Sequence, residues 1–342
     1  MSETEAGPRA GRPAPTIYDI AQHAGVSPST VSRALNRPGR VNKETAQRIQ
    51  AAARELNYRA NAIARALPTG RTRTLALILT DLTNPFFFEV IRGAEAAAGA
   101  AGYTLVVVQS QENPEREAQA IRDLIGSVDG FLLAASRLTD AEIQEVASER
   151  PAVVINRAVQ DVDSIVPDLH PSIDETLDHL QTLGHRVLAF LSGPVTSRVS
   201  QARWHVVFEG AVERGMNIIE IGSGTPTVEG GRDSLARVRA SGATAVLAYN
   251  DLMAIGLMRA ARAAGMEIPD ELSIVGFDDI FGSDFTSPPL TTVKAPLAEM
   301  GARAVRSLLQ HLLPAASAES ETPPALRTEL LLRGSTAQAP QS

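Results

Sequence analysis

Eight short apolar runs recur along residues 74–340: LALIL (75–79), YTLVVV (103–108), GFLLAA (130–135), AVVI (152–155), VLAFL (187–191), IIEI (218–221), AVLAY (245–249) and SIVGF (273–277). Helical patterning fills the gaps, at about 86–101, 115–126, 139–148, 172–183, 200–215, 231–241, 251–265 and 296–312. Continuous apolar runs separated by helices specify parallel strands covered on both faces. Eight such units overfill one open sheet. Two Rossmann-like lobes fit better, with a break near 170 and a return crossing near 293. Residues 74–172 plus 294–318 would form one lobe, and 173–293 plus 319–342 the other.

The residues just past each run are polar: Asp81, Ser110, Ser136, Asn156, Ser192, Asn250 with Asp251, and Asp278 with Asp279. Ligands of open α/β sheets bind at the carboxyl ends of the strands. Two such edges facing one another make a cleft suited to a small polar molecule.

The charge is unevenly placed. The net formal charge is −7, yet residues 1–73 hold 12 Lys and Arg against 5 Asp and Glu, leaving −14 on the remainder. A basic head on an acidic body is the signature of a nucleic-acid-binding module attached to another domain. The chain has no cysteine, which excludes disulfides and thiolate chemistry. The opening MSETEAGPRAGRPAP has no apolar signal core and reads as a disordered tail over 1–15, and no run reaches the length of a membrane span. A cytoplasmic protein is expected.

Residues 16–60 pattern as three short helices. Thr16 is placed to cap the first, whose apolar face is Ile17, Ile20, Ala21 and Ala24, and Gly25 ends it. Ser27 caps a second helix with Pro28 at its first position. Val31, Ala34 and Leu35 point inward there, leaving Ser29, Thr30, Ser32 and Arg33 for other surfaces. A third helix runs from about Glu44 to Leu56, with Ala46, Ile49, Ala53 and Leu56 as its buried stripe. A glycine-bearing turn between the first two helices makes a helix-turn-helix, whose second helix fits the major groove. Arg33 has the fork for guanine O6 and N7, and equally for a phosphate. The candidate DNA contacts in the head are Thr16, Tyr18, Ser27, Pro28, Ser29, Thr30, Ser32, Arg33 and Asn36.

TIYDIAQHAGVSPSTVSRALN, followed by VNKETAQRIQAAARELNYRANAIARAL, resembles the N-terminal head of the lac-repressor family of bacterial transcription regulators. The likeness extends over residues 16 to about 312. It implies a fold of an all-α helix-turn-helix head plus an α/β body of two parallel-sheet lobes of periplasmic-binding-protein type. It also implies a hinge helix and linker at 61–73 that folds on operator DNA. Asn61, Ala64 and Leu67 would make contacts there, with Leu67 wedging into the minor groove. In the body, DLTNPFFFEV matches the family's first-strand exit, bringing Asn84 and Phe86 to the cleft mouth, where Phe86 or Phe87 stacks on a ligand ring. Arg203 falls at the effector-binding arginine, AYND supplies Asn250, and VGFDD supplies Asp278 as ligand carboxylate. Arg203 and Asp278 across the cleft would hold vicinal hydroxyls. The chain departs from the family after Arg203, where Val206 and Val207 stand, so that Trp204 and Phe208 offer the aromatic surface instead. The Asn, Gly and Ala usual after Asp168 are also missing.

Catalytic motifs are wanting. GSGTPT lacks the lysine of a phosphate loop, and the six histidines show no metal spacing. The expectation is a DNA-binding regulator, most simply a repressor, and not an enzyme. It needs no cofactor and no metal, binds a pseudopalindromic operator as a homodimer, and answers to a sugar or sugar-like effector. A nucleobase or partner protein acting as corepressor, and a sugar-binding transport protein, are the alternatives.

Overall fold

The computed structural model describes residues 15–36, 39–56, 58, 71–222, 224–313 and 324–341. The chain divides into two compact units, residues 1–72 and 73–342. Residues 1–14 of the expected tail, most of the expected hinge with Asn61, Ala64 and Leu67, and the segment 314–323 lie outside the described residues.

The head is three helices, α1 (Ile17–Ala24), α2 (Pro28–Asn36) and α3 (Lys43–Glu55). Its core is Ile20, Ala21, Ala24, Val31, Ile49 and Ala52, with Val26, Ala34, Leu35, Ala53 and Leu56 packed around it. Local chemistry sets each end. The Asp19 carboxylate accepts from both the backbone N–H and the hydroxyl of Thr16, holding the start of α1. Gly25 closes α1 at φ +63°, a backbone state that costs glycine nothing. The Ser27 hydroxyl accepts from the Thr30 N–H at the start of α2, and Asn42 accepts from Glu44 N–H at the start of α3.

The body holds two sheets. The first has strands β1 (Thr74–Leu79), β2 (Thr104–Gln109), β3 (Gly130–Ala134), β4 (Ala152–Ile155) and β5 (Ser164–Ile165), in the order β2-β1-β3-β4-β5, all parallel. The second has β6 (Val187–Ser192), β7 (Asn217–Gly222), β8 (Ala245–Ala248), β9 (Ser273–Asp278), β10 (Thr291–Lys294) and β11 (Glu329–Leu331), in the order β11-β10-β9-β8-β6-β7. Apart from β11, the second sheet repeats the order of the first. Both are doubly wound sheets whose strand order reverses beside their first strand, which is where such sheets open a crevice.

Three strands are additions to the sequence reading. β5 and β10 are short, and β11 runs antiparallel to β10, so the second sheet is mixed rather than wholly parallel. β10 carries the chain in the second sheet as far as Lys294, so the return crossing follows that residue. The helix expected at 231–241 is two helices, Val228–Asp233 and Leu235–Ser241, which meet at Ser234.

The helix Leu297–Leu312 returns from the second sheet and packs on the helix Phe86–Ala100 of the first. The fit requires two glycines. A Cβ on Gly93 would lie 1.8 Å from the Ala298 carbonyl oxygen, and one on Gly301 would lie 2.1 Å from that of Val90. No helix among the described residues is long and apolar enough to cross a membrane.

Candidate functional site

In the head, Tyr18, Ser27, Ser29 and Arg33 are exposed, and Pro28, Thr30 and Ser32 are half-buried. The hydroxyls of Ser29 and Thr30 both lie 2.9 Å from that of Ser27, so this tip of α2 is a small ordered cluster of hydroxyls. Thr16 is exposed, with its hydroxyl held by Asp19. Asn36 ends α2. Exposed cations also occur at Arg40, Lys43 and Arg48. These did not stand out in the sequence because they belong to no motif, only to a basic surface. His23 reaches Glu55 at 2.7 Å, tying α1 to the end of α3.

In the body, a narrow cavity of about 20 Å3 lies between the carboxyl edges of the two sheets. That is room for about one water molecule, so the two walls lie nearly closed on one another. Each sheet supplies its wall from residues just past strand ends. Thr80, Glu112, Ala135 with Arg137, and Asn156 follow β1, β2, β3 and β4. Tyr249 and Asn250 follow β8, and Asp278 ends β9.

The expected residues Asn84, Phe86, Arg203, Asn250 and Asp278 all line this cavity. Arg203 and Asp278 do not face each other across it. Both belong to the second lobe, Arg203 from the helix Arg198–Glu213 and Asp278 from β9, and they form a buried ion pair at 2.5 Å. A second Arg203 nitrogen donates to the Tyr249 carbonyl at 2.5 Å. The guanidinium lies over the Phe277 ring at 4.6 Å and the Tyr249 ring at 5.3 Å, while its Nε finds no hydrogen-bond partner. Burial by itself lowers the Arg203 pKa, but the adjacent Asp278 charge reverses this, so Arg203 lies above its ordinary value and keeps its charge.

Asn250 is committed to the backbone. Its carbonyl oxygen accepts from Met253 N–H at 2.9 Å, and its amide donates to Pro226 O at 3.0 Å. It caps the helix Asp251–Ala263 and shapes the wall. Asn84 similarly accepts from Phe86 N–H at 3.0 Å. Phe86 and Phe87 are both buried, edge to face with centroids 4.9 Å apart, and serve the first lobe's core as well as the cavity edge. Trp204 and Phe208 are not part of the cavity. Trp204 packs on Phe190 and Phe208 in the second lobe, because one residue along a helix from Arg203 turns the side chain about 100° away.

Beneath Asp278 lies Asp251, fully buried. It accepts from the Thr292 hydroxyl at 2.6 Å and the Ile280 N–H at 2.9 Å. Burial first, and the Asp278 charge second, hold its carboxyl well above the usual carboxylate range.

Four polar wall residues eluded the sequence reading: Glu112, Arg137, Tyr249 and Thr80. Arg137 is buried, pairs with Glu112 at 2.6 Å and donates to the Ala135 carbonyl at 3.0 Å. Among the described residues, six of the eight non-glycine residues with positive φ are Gln111, Glu112, Ala135, Asn156, Asp278 and Asp279, every one at the carboxyl edge of a strand. Strained backbone gathered at one edge marks a functional site. Among the described residues no group of three or more acidic or histidine side chains could hold a metal ion. His185, buried and with its pKa lowered by that burial, is bound to Thr244, Ser273 and the Ala337 carbonyl as a structural tie.

Two family models match the chain: bacterial regulatory proteins of the lacI family over residues 16–61, and the periplasmic binding protein-like domain over 177–336. The HTH-type transcriptional regulator DegA of Bacillus subtilis is 33% identical over 302 residues, covering 85% of this chain and 90% of that protein. The HTH-type transcriptional repressor CytR of Escherichia coli is 32% identical over 338 residues, 96% of this chain and 98% of its own. Among solved structures, the lac repressor dimer bound to operator and the anti-inducer ONPF matches with a TM-score of 0.83 at 27% identity, over 94% of this chain and 99% of that one. The helix-turn-helix head, the paired doubly wound lobes and the nearly full-length match agree, and the chain belongs to the lacI family of bacterial regulatory proteins.

Proposed function

We propose that this chain is a cytoplasmic transcriptional repressor that binds a pseudopalindromic operator as a homodimer and is controlled by a small polar effector held between its lobes. The observation that carries the reading is the pairing of an exposed α2 face with a polar cavity at the crevices of two like sheets. Ser29 and Arg33 read each half-site, with Thr16, Tyr18, Ser27, Pro28, Thr30, Ser32 and Asn36 around them, and Arg40, Lys43 and Arg48 meet phosphates. Asn61, Ala64 and Leu67 make the hinge contacts, with Leu67 as the minor-groove wedge. Asn84, Phe86, Arg203, Asn250 and Asp278 line the effector site. The spare lone pairs of Asp278 and the Nε of Arg203 suit the hydroxyls of a sugar or a nucleoside ribose.

The dimer reading draws support from an exposed aromatic surface. Phe281 and Phe285 are 74% and 71% exposed, edge to face at 5.1 Å, and share a groove with the half-exposed Phe88. A patch of this kind suits a protein partner, here a second copy.

An effector that binds one lobe arrangement better than another shifts operator affinity by that difference, and couplings of about 1–3 kcal/mol are typical. Selection of duplexes from a random pool by the full chain tests the proposal. The expected product is an inverted repeat whose half-sites match the two-fold spacing of a dimer. Enrichment of a single unrepeated site, or none, would refute it.

A further inference from the structure

We propose that Glu112 sets the charge selectivity of the cavity, holding Arg137 neutralised so that uncharged effectors are admitted and anionic ones are turned away. The inference rests on reading this cavity as the effector site. The cavity walls carry two guanidiniums and two carboxylates: Arg137 with Glu112 from the first lobe, Arg203 with Asp278 from the second. With all four ionised, the lining has no net charge.

The two pairs are built differently. Arg203 and Asp278 are each 4% exposed, whereas beside the 2% exposed Arg137 the Glu112 side chain is 29% exposed. Glu112 is thus the one charged wall residue with an open side. Its Oε2 occupies one edge of the Arg137 fork, accepting from Nε and lying against Nη2, each at 2.6 Å, and Nη1 donates to the Ala135 carbonyl at 3.0 Å. An incoming phosphate or carboxylate finds the Nε/Nη2 edge of Arg137 taken and meets the Glu112 charge there instead. Discrimination of this kind needs a repulsive element as well as an attractive one.

The backbone is shaped to put that element there. Glu112 and its neighbour Gln111 both hold positive φ, 59° and 55°, which neither side chain favours. On the far side, the buried Glu117 accepts from the Arg137 backbone N–H at 2.9 Å, so the segment bearing the fork is fixed. Removal of the Glu112 charge leaves a preformed guanidinium fork facing the cavity, the geometry that recognises phosphate in a bidentate manner.

The test uses inorganic phosphate as the probe, titrated by calorimetry into the full chain against sodium chloride of equal ionic strength. Glu112→Gln keeps the side-chain length, and Glu112→Ala serves as a second variant should the amide disturb the loop. The expected result is saturable phosphate binding at least about tenfold tighter in either variant than in the unaltered chain, lost again in the Glu112→Gln/Arg137→Gln double variant. Phosphate binding unchanged by both single variants, or retained in the double variant, would overturn the proposal. Because this readout needs neither operator nor natural effector, it is separable from the regulatory reading. Tighter phosphate binding with operator affinity indifferent to saturating phosphate would support the gate and count against the cavity as the regulatory site.

Discussion

Removing the charge of Asp278 should destabilise the protein before any effector is added. The Arg203 side chain is 4% exposed, and its buried charge is balanced by Asp278 at 2.5 Å. Taking one partner from a buried ion pair costs about 3–5 kcal/mol, because the other charge stays desolvated and uncompensated. Asp278→Asn keeps the shape and one acceptor for the Arg203 Nη2, so the lower end, about 3 kcal/mol, is expected. Arg203→Met removes the guanidinium, its bond to the Tyr249 carbonyl and its stacking on Phe277. It leaves a buried carboxylate that can relieve its own cost by taking up a proton. The double variant Arg203→Met/Asp278→Asn holds neither charge, so its loss should fall short of the sum of the single losses by about 2 kcal/mol or more. Urea unfolding followed by tryptophan fluorescence suits the measurement, since Trp204 is the one tryptophan in the chain and packs in the second lobe against Phe190. Strictly additive losses, or an Asp278→Asn midpoint equal to that of the unaltered chain, would refute the reasoning. The result also governs how effector experiments are read: lost response in an Asp278 variant counts as a lost ligand contact only where the fold has been restored.

Gly93→Ala should cost about 1–3 kcal/mol or more by overpacking, since its Cβ meets the Ala298 carbonyl at 1.8 Å; a circular dichroism melt within 1 °C of the unaltered chain, on the order of a few tenths of a kcal/mol, would count against that packing. Arg33→Ala should weaken operator binding by about 1–3 kcal/mol and relax preference at one base pair per half-site. Uniform weakening on all sequences, with a salt slope smaller by about 0.9, would instead identify a phosphate contact. Asp251→Asn should flatten the pH dependence of stability. The folded Asp251 carboxyl titrates well above its unfolded value, so the stability of its protonated form is whole below about pH 3.9 and is lost as pH rises through the folded value. The variant, compared with the unaltered chain in urea titrations from pH 4 to 8, should gain relative stability as pH rises; parallel curves would show that Asp251 carries no buried proton.

The head and most of the strands were legible because their signals are local. Thr16 with Asp19, Gly25, Ser27 with Pro28, and Asn42 each fix a helix end through contacts within a few residues. Strands buried on both faces read as unbroken apolar runs. β10 did not, because TTVK buries two threonines within the sheet, and β11 is three residues long. The break between the helices Val228–Asp233 and Leu235–Ser241 was also hidden. It follows Gly230 and Gly231, which are pressed against the Thr225 and Met253 carbonyls by contacts that only the fold creates.

The same distinction divides the cavity. Asp278 was readable from its position at a strand end and Arg203 from the family likeness, although their placement on a single wall was not. Glu112 and Arg137 reach the cavity through left-handed steps at Gln111, Glu112 and Ala135. Asn156, Asp278 and Asp279 also hold positive φ, but asparagine and aspartate adopt that state readily, so their presence past a strand end already hints at a sharp turn. Gln, Glu and Ala give no such hint. Their strain is imposed by the packing of β2 and β3 beside β1 and by the Arg137 pairings on either side. The least legible part of the cavity is therefore the part whose backbone is held by tertiary contacts against its own preference. A charge-setting pair placed there can be changed without disturbing the strand pattern that specifies the fold.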